Sequence, residues 1–199
     1  MPRRAVPAPG HAGFDSALRI DWLLAEELPA NLPGRLGLTF LPGKRGPSSR
    51  YPGNVYRRDA AEDLATMRAL GVVRLLLLVE DGELARWSTP RIVQLGRAAG
   101  IDVRRFPMRD GSAPTLEAMD AIQAQVDEGR RSGDVAVACM GGVGRTGTVA
   151  ACALVRAGRT PQDAISRVRE VRHPQAVETE EQERLVRSYA EARASSERD

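Results

Sequence analysis

Apolar residues along this chain alternate between short unbroken runs and stripes at helical spacing. The runs at 35–40 (RLGLTF), 72–79 (VVRLLLLV), 102–108 and 135–138 (VAVA) are bounded by Pro, Gly or Asp. The runs at 72–79 and 135–138 predict strands buried on both faces, and 35–40 and 102–108 are predicted as further strands. Between them, helices are predicted at 59–70 with Asp59 as its N-cap, 89–99 ending at Gly100, 116–129, 144–157, 160–172 with Pro161 in its first turn, and 177–193. A short helix is also expected at 15–28, stopped by Pro29, and a loop rich in Pro, Gly and Ser at 41–54. The alternation predicts one α/β domain at 14–193, a mostly parallel central sheet flanked by helices. Residues 1–13 read as a flexible arm and 194–199 as a frayed tail. In such folds ligands bind beyond the carboxyl ends of the strands, so chemistry is sought there.

At 199 residues and 42% hydrophobic content the chain can bury a full core and is too short for two large domains. The net charge of +3 favours acidic ligands only mildly, because arginines alternate with acids along stretches such as 180–193. Nucleic acid is excluded as a partner, since aromatics make up 4% and no basic block is interleaved with them. No run reaches the length of a membrane span, and the first thirteen residues lack the apolar core of a signal peptide. Two cysteines and no disulfide framework point to a reducing cytoplasm. Cys152 falls about 10 Å along a helix from the loop that follows Cys139, beyond the roughly 7 Å limit for bridged Cα atoms, and reads as a small core residue. Nothing in the sequence sets the oligomeric state.

The chemistry gathers at 135–147, VAVACMGGVGRTG. A strand ends at Cys139, a loop follows with Gly141, Gly142 and Gly144, and Arg145 and Thr146 open a helix. Backbone amides of such a loop and the helix N-terminus converge on one point, and the Arg145 guanidinium can hold two phosphate oxygens at once. Met140, Gly141, Gly142, Val143, Gly144 and Arg145 are therefore the expected phosphate-binding residues. The same positive field favours a Cys139 thiolate, a nucleophile aimed at the captured phosphorus. This chemistry calls for no cofactor and no metal.

The run GLTFLPGK at 37–44, the segment FPMRDGSAPT at 106–115 and the loop CMGGVGRTG at 139–147 together resemble the cysteine-dependent protein tyrosine and dual-specificity phosphatases. The likeness extends over about residues 30–190 and is nearest to the kinase-associated phosphatase branch and its bacterial relatives. It implies a dual-specificity phosphatase-like fold and hydrolysis of a phosphoprotein or small phosphomonoester through a phosphocysteine. It also implies that Asp110, about thirty residues before the cysteine, is the general acid, an effect worth about a hundred- to ten-thousand-fold. The alternative for Asp110-Gly111 is a plain turn. Thr146 resembles the hydroxyl that stabilises the departing thiolate, or it caps the helix. Gln182 resembles the glutamine that orients the hydrolytic water, or it belongs to a polar surface helix together with Glu178.

Other titratable residues take lesser roles. Asp102 and Asp134 read as structural, while Glu80 and Asp81, past the strand at 72–79, are reserve acids. Lys44, Arg45, Arg57 and Arg58 either line the cleft or stand solvated on loops. His11 lies in the arm and His173 near a helix end. One departure stands out: Ala138 occupies the place where the family usually has histidine, and it can donate no hydrogen bond to organise the loop. That substitution keeps open a second function, a catalytically weak phosphate- or phosphoprotein-binding pseudophosphatase. A Walker-type nucleotide loop fails on register, because Cys139 would stand where its first glycine belongs. A rhodanese-like sulfurtransferase would have no need of Asp110.

Overall fold

The computed structural model describes residues 18–47 and 55–196. Five strands form the main sheet: β1 (Asp21–Leu23), β2 (Leu36–Phe40), β5 (Val72–Leu77), β6 (Asp102–Arg105) and β7 (Asp134–Cys139). Their order is β1-β2-β7-β5-β6, with every pairing parallel except β1 against β2. A separate antiparallel ribbon joins β3 (Arg45–Pro47) to β4 (Val55–Arg57). The helices are α1 (Ala60–Ala69), α2 (Asp81–Arg86), α3 (Ile92–Ala98), α4 (Leu116–Arg130), α5 (Gly144–Arg156), α6 (Pro161–Val171) and α7 (Glu180–Ser196). This is the expected α/β architecture, a mostly parallel sheet with helices packed on it.

Local chemistry explains most of the element boundaries. Asp59 caps α1 by accepting from the amides of Ala61 and Glu62, and Thr115 and Thr160 cap α4 and α6 in the same way. The middle strand β7 is buried from Val135 to Cys139, as its continuous apolar run requires. It is flanked by β2 and β5, so Cys139 ends the most enclosed strand of the sheet, in register with Phe40. Helix α5 is buried from Gly144 to Val155 and packs on β2 and β7 and against α4, α6 and α7. Each Val or Leu it removes from water is worth about 1.5–3 kcal/mol, so the helix carrying Arg145 is among the most firmly held. No described helix is long and apolar enough to cross a membrane.

Three expectations need correction. The segment expected as a helix at 15–28 is instead β1 followed by two 3-10 turns, Ala25–Glu27 and Pro29–Asn31, with 15–17 outside the described residues. Ile20 and Trp22 lie over Gly37 of β2, where a Cβ would meet Ile20 Cγ2 at 2.6 Å, and Arg35 stacks 4.1 Å from the Trp22 ring. Pairing with a neighbouring strand thus wins over local helical preference. The loop at 41–54 contains β3 at 45–47, and 48–54 lie outside the described residues, as does the arm at 1–13. Helix α2 occupies 81–86, a segment for which no helix is predicted, and it brings an unforeseen carboxylate to the site.

Candidate active site

The loop from Cys139 to Gly144 crosses the carboxyl end of the sheet between β7 and α5. Cys139 is 3% exposed, and its sulfur accepts from the Gly142 amide at 3.2 Å. Gly142 has φ +68°, and a Cβ there would meet the Thr39 carbonyl oxygen at 2.3 Å, so only glycine permits this turn. A Cβ on Gly144 would lie 2.5 Å from Glu178 Oε2 and 3.0 Å from Gln182 Oε1, which shows how closely the α7 side chains approach the loop.

The loop carbonyls are held from outside by cations. Arg172 donates to the carbonyls of Gly141 at 3.2 Å and Gly142 at 2.8 Å and is itself anchored on Asp21 at 2.7 Å. Lys44 Nζ donates to the Met140 carbonyl at 3.2 Å. With three successive carbonyls drawn outward, the amides of this stretch are free to turn inward, the arrangement that makes an anion nest.

Arg145, 1% exposed, is the most heavily bonded side chain here. Nη1 donates to Glu83 Oε2 at 2.8 Å and to the carbonyls of Met108 at 2.9 Å and Leu78 at 3.3 Å. Nη2 donates to Glu83 Oε1 at 2.7 Å and stands 2.9 Å from Asp110 Oδ1, whereas Nε is buried with no protein partner. Burial by itself would lower the Arg145 pKa, but the Glu83 carboxylate, the Cys139 sulfur and Asp110 together raise it above its ordinary value. Burial likewise works to raise the Glu83 pKa, and the Arg145 hydrogen bonds overcome it, leaving Glu83 lowered.

Asp110 follows β6 on a strand-end loop, its side chain 62% exposed, and so combines contact with Arg145 and access to solvent. Gly111, next to it, has φ +76°, so the turn reading of Asp110-Gly111 is correct as local geometry and compatible with a place in the site. Gln182 is fully buried. Its Oε1 accepts from the Glu178 amide at 2.8 Å and its Nε2 donates to the Ser112 carbonyl at 3.2 Å, tying α7 to the Asp110 loop. Thr146 is buried with its Oγ1 unpaired, and the N-cap of α5 is Val143, so the helix-capping reading of Thr146 does not hold.

The remaining candidates separate cleanly. Glu80 is the N-cap of α2 and exposed, while Asp81 pairs with Arg105 at the surface. The residue of that run that meets Arg145 is Glu83, one helical step further, where it also accepts from the Glu80 amide at 3.0 Å. Asp134 and Asp102 are structural, paired with Arg35 and with Arg74 and Arg104. Arg58 is buried against Asp63 at 2.6 Å, Arg45 bonds the Arg58 carbonyl at 2.8 Å, and Arg57 is exposed. The Cys152 thiol is fully buried and pushed well above its ordinary range by that burial, which makes it inert. Among the described residues no group of three or more His, Cys, Asp or Glu is placed to hold a metal ion.

Residues 53–159 match a family model described as "Polymorphic toxin system, DSP-PTPase phosphatase". Cyclin-dependent kinase inhibitor 3 of Sus scrofa is 27% identical over 184 residues, covering 89% of this chain and 81% of that protein, and the Homo sapiens protein of that name matches to the same extent. Among solved structures, kinase associated phosphatase with its catalytic-site cysteine substituted by serine superposes with a TM-score of 0.78. It is 23% identical and covers 90% of this chain and 98% of its own. Tk-PTP in its active form has a TM-score of 0.64 at 29% identity, over 79% of this chain and 92% of its own.

Proposed function

The chain belongs to the DSP-PTPase phosphatase family and is a cysteine-dependent tyrosine/dual-specificity phosphatase, and from that premise we propose how its residues divide the work. Cys139 attacks the phosphorus, forming an S–P bond as the ester P–O bond breaks, and Asp110 gives its proton to the departing oxygen. Water then attacks the phosphocysteine, its proton passing to Asp110 while the S–P bond breaks and inorganic phosphate leaves. Gln182 orients that water, and the Thr146 hydroxyl, buried and without another partner, donates to the sulfur as it departs. The amides from Met140 to Gly144 and the Arg145 guanidinium carry the charge that spreads over the equatorial oxygens.

One observation carries this assignment: Glu83 locks Nη1 and Nη2 of Arg145, the carbonyls of Met108 and Leu78 hold Nη1 as well, and the edge formed by Nη2 and the unpaired Nε meets only Asp110. A phosphate dianion taking Nε and Nη2 bidentately displaces Asp110 from Nη2. The acid is thereby released at the moment and place where a leaving group needs protonating. A purely phosphate-binding module has no use for such an exchange, so Ala138 does not outweigh it. The substrate is a phosphoprotein bearing phosphotyrosine or, with a shallow cleft, phosphoserine or phosphothreonine. The setting is a reducing cytoplasm, a reading supported by two free cysteines, one of them needed as a thiolate.

Hydrolysis of 4-nitrophenyl phosphate between pH 5 and 8, in EDTA with reductant, tests the reading. Wild type is expected to turn over, Cys139→Ser to be inactive, and Asp110→Asn to be slowed with KM little changed. A wild type as inactive as Cys139→Ser, yet still binding phosphate, would return the protein to the binding-module reading.

A further inference from the structure

Lys44 is the only lysine in the chain, and it is buried, 4% exposed, between β2 and β3. Its backbone is pinned on both sides, with Gly43 donating to Asp63 Oδ2 at 2.8 Å and Arg58 to the Lys44 carbonyl at 3.2 Å. The ammonium lies 3.8 Å from the centre of the Tyr56 ring, 4.8 Å from Trp87 and 6.0 Å from Phe40, and donates to the Met140 carbonyl. Tyr56 and Trp87 meet edge to face at 5.9 Å, so the cage has a fixed shape. Among the described residues no carboxylate pairs with Lys44. A buried ammonium supported by aromatic faces and one carbonyl is costly unless a negative charge stands nearby.

Two titratable groups act on it. Arg58, in the turn before α1, repels it but is already neutralised by Asp63. Cys139, at the end of β7, immediately precedes Met140, whose carbonyl accepts from the Lys44 ammonium. Burial pushes the Lys44 pKa down to about 8, Cys139 draws it back up, and Arg58 adds to the lowering.

We propose that Lys44 is a positioning residue for the phosphatase reaction, fixing the first turn of the loop through the Met140 carbonyl and balancing the negative charge of Cys139, where Ala138 offers no donor. The assignment rests on the catalytic reading given above. Lys44 never touches the substrate. It acts with Arg172, which holds the next two carbonyls, so that two cations from separate elements keep three carbonyls turned away from the phosphate. Being a lysine rather than an arginine, Lys44 makes that support dependent on pH: it is present when the ammonium is charged and lost as pH rises through about 8.

A single lysine makes the test direct. Protein labelled with 13C at lysine Cε yields one resonance, which is expected to titrate near pH 8 and to move to lower pH in Cys139→Ser, where the sulfur's charge is gone. Kinetics on 4-nitrophenyl phosphate are run in Asp110→Asn, so that titration of the acid does not mask the lysine. In that background activity is expected to fall through about pH 8, and the further change Lys44→Arg is expected to abolish that fall by keeping the charge. Lys44→Met, in the wild-type background at pH 7, is expected to lower kcat about tenfold while the melting temperature is unchanged or raised, because an apolar chain fills the cage without a buried charge. Titration at the ordinary lysine value of 10.5, a midpoint unmoved in Cys139→Ser, or a Lys44→Met enzyme within twofold of wild type would each overturn the proposal. A wild type that turns over nothing overturns the catalytic reading, and the role with it. The titration needs no turnover and still tells whether Lys44 and Cys139 are coupled.

Discussion

Among the described residues two arginines lie fully inside, at opposite ends of the same mostly parallel sheet, and they are held differently. Arg130, 0% exposed at the amino end, donates to the carbonyls of Gly34 at 2.8 Å, Pro29 at 2.9 Å and Leu32 at 3.3 Å. All three of these hydrogen bonds go to backbone atoms fixed by the fold, with Asp127 Oδ1 3.5 Å away as an ion-pair partner, and burial outweighs that carboxylate and lowers the Arg130 pKa. Arg145 at the carboxyl end is held mainly by the carboxylates of Glu83 and Asp110, which raise its pKa, and its Nε is left unpaired. Carbonyls of the main chain cannot leave, whereas an exposed aspartate can. Burial of an arginine therefore does not distinguish scaffold from site; the mobility and charge of what holds it does.

Substitutions at the two positions should separate along that line. Arg145→Lys keeps the charge but loses the planar fork, and it is expected to lower kcat/KM about a thousandfold with a small change in melting temperature. Asp110→Asn, which keeps the contact with Arg145 but has no proton to give, is expected to lower kcat about a hundredfold and leave phosphate binding intact, checked by competitive inhibition with inorganic phosphate. Arg130→Met leaves three carbonyls unsatisfied and is expected to cost roughly 3 kcal/mol in urea unfolding, while the folded fraction keeps near-wild-type kcat. An Arg130 variant that is stable but slow would break the comparison.

Glu83→Gln should produce the smallest effect. It weakens the lock on the far face of Arg145, and KM is expected to rise roughly fivefold with a modest loss of kcat. Because the folded-state pKa of Glu83 lies below its ordinary value, its contribution to stability is present above that ordinary value and lost as pH falls through the lowered one. The stability gap between wild type and Glu83→Gln is therefore expected at neutral pH and should close on acidification, as followed by urea unfolding at a series of pH values.

The strand, loop and helix at 134–156 were determined by the sequence itself. A continuous apolar run, glycines at positions such as 142 and an uninterrupted helical stretch are local signals, and each is enforced within a few residues of where it is read. The same holds for the caps at Asp59, Thr115 and Thr160 and for the β-α alternation that placed Cys139 and Asp110 beyond carboxyl ends of strands in one sheet. Residues 15–28 read as a helix because the competing partner, β2, lies outside any local window. Glu83 was passed over for Glu80 and Asp81 because the three stand within four positions, and only the start of α2 decides which one faces Arg145. Lys44 and Arg172 reach the loop from about 95 residues before it and 30 after it, distances at which no periodicity carries information. Composition and spacing thus named the reacting groups, and the sheet order β2-β7-β5 chose the cations and carboxylates that hold them, because buried charges are satisfied by whatever the packing brings within about 3 Å.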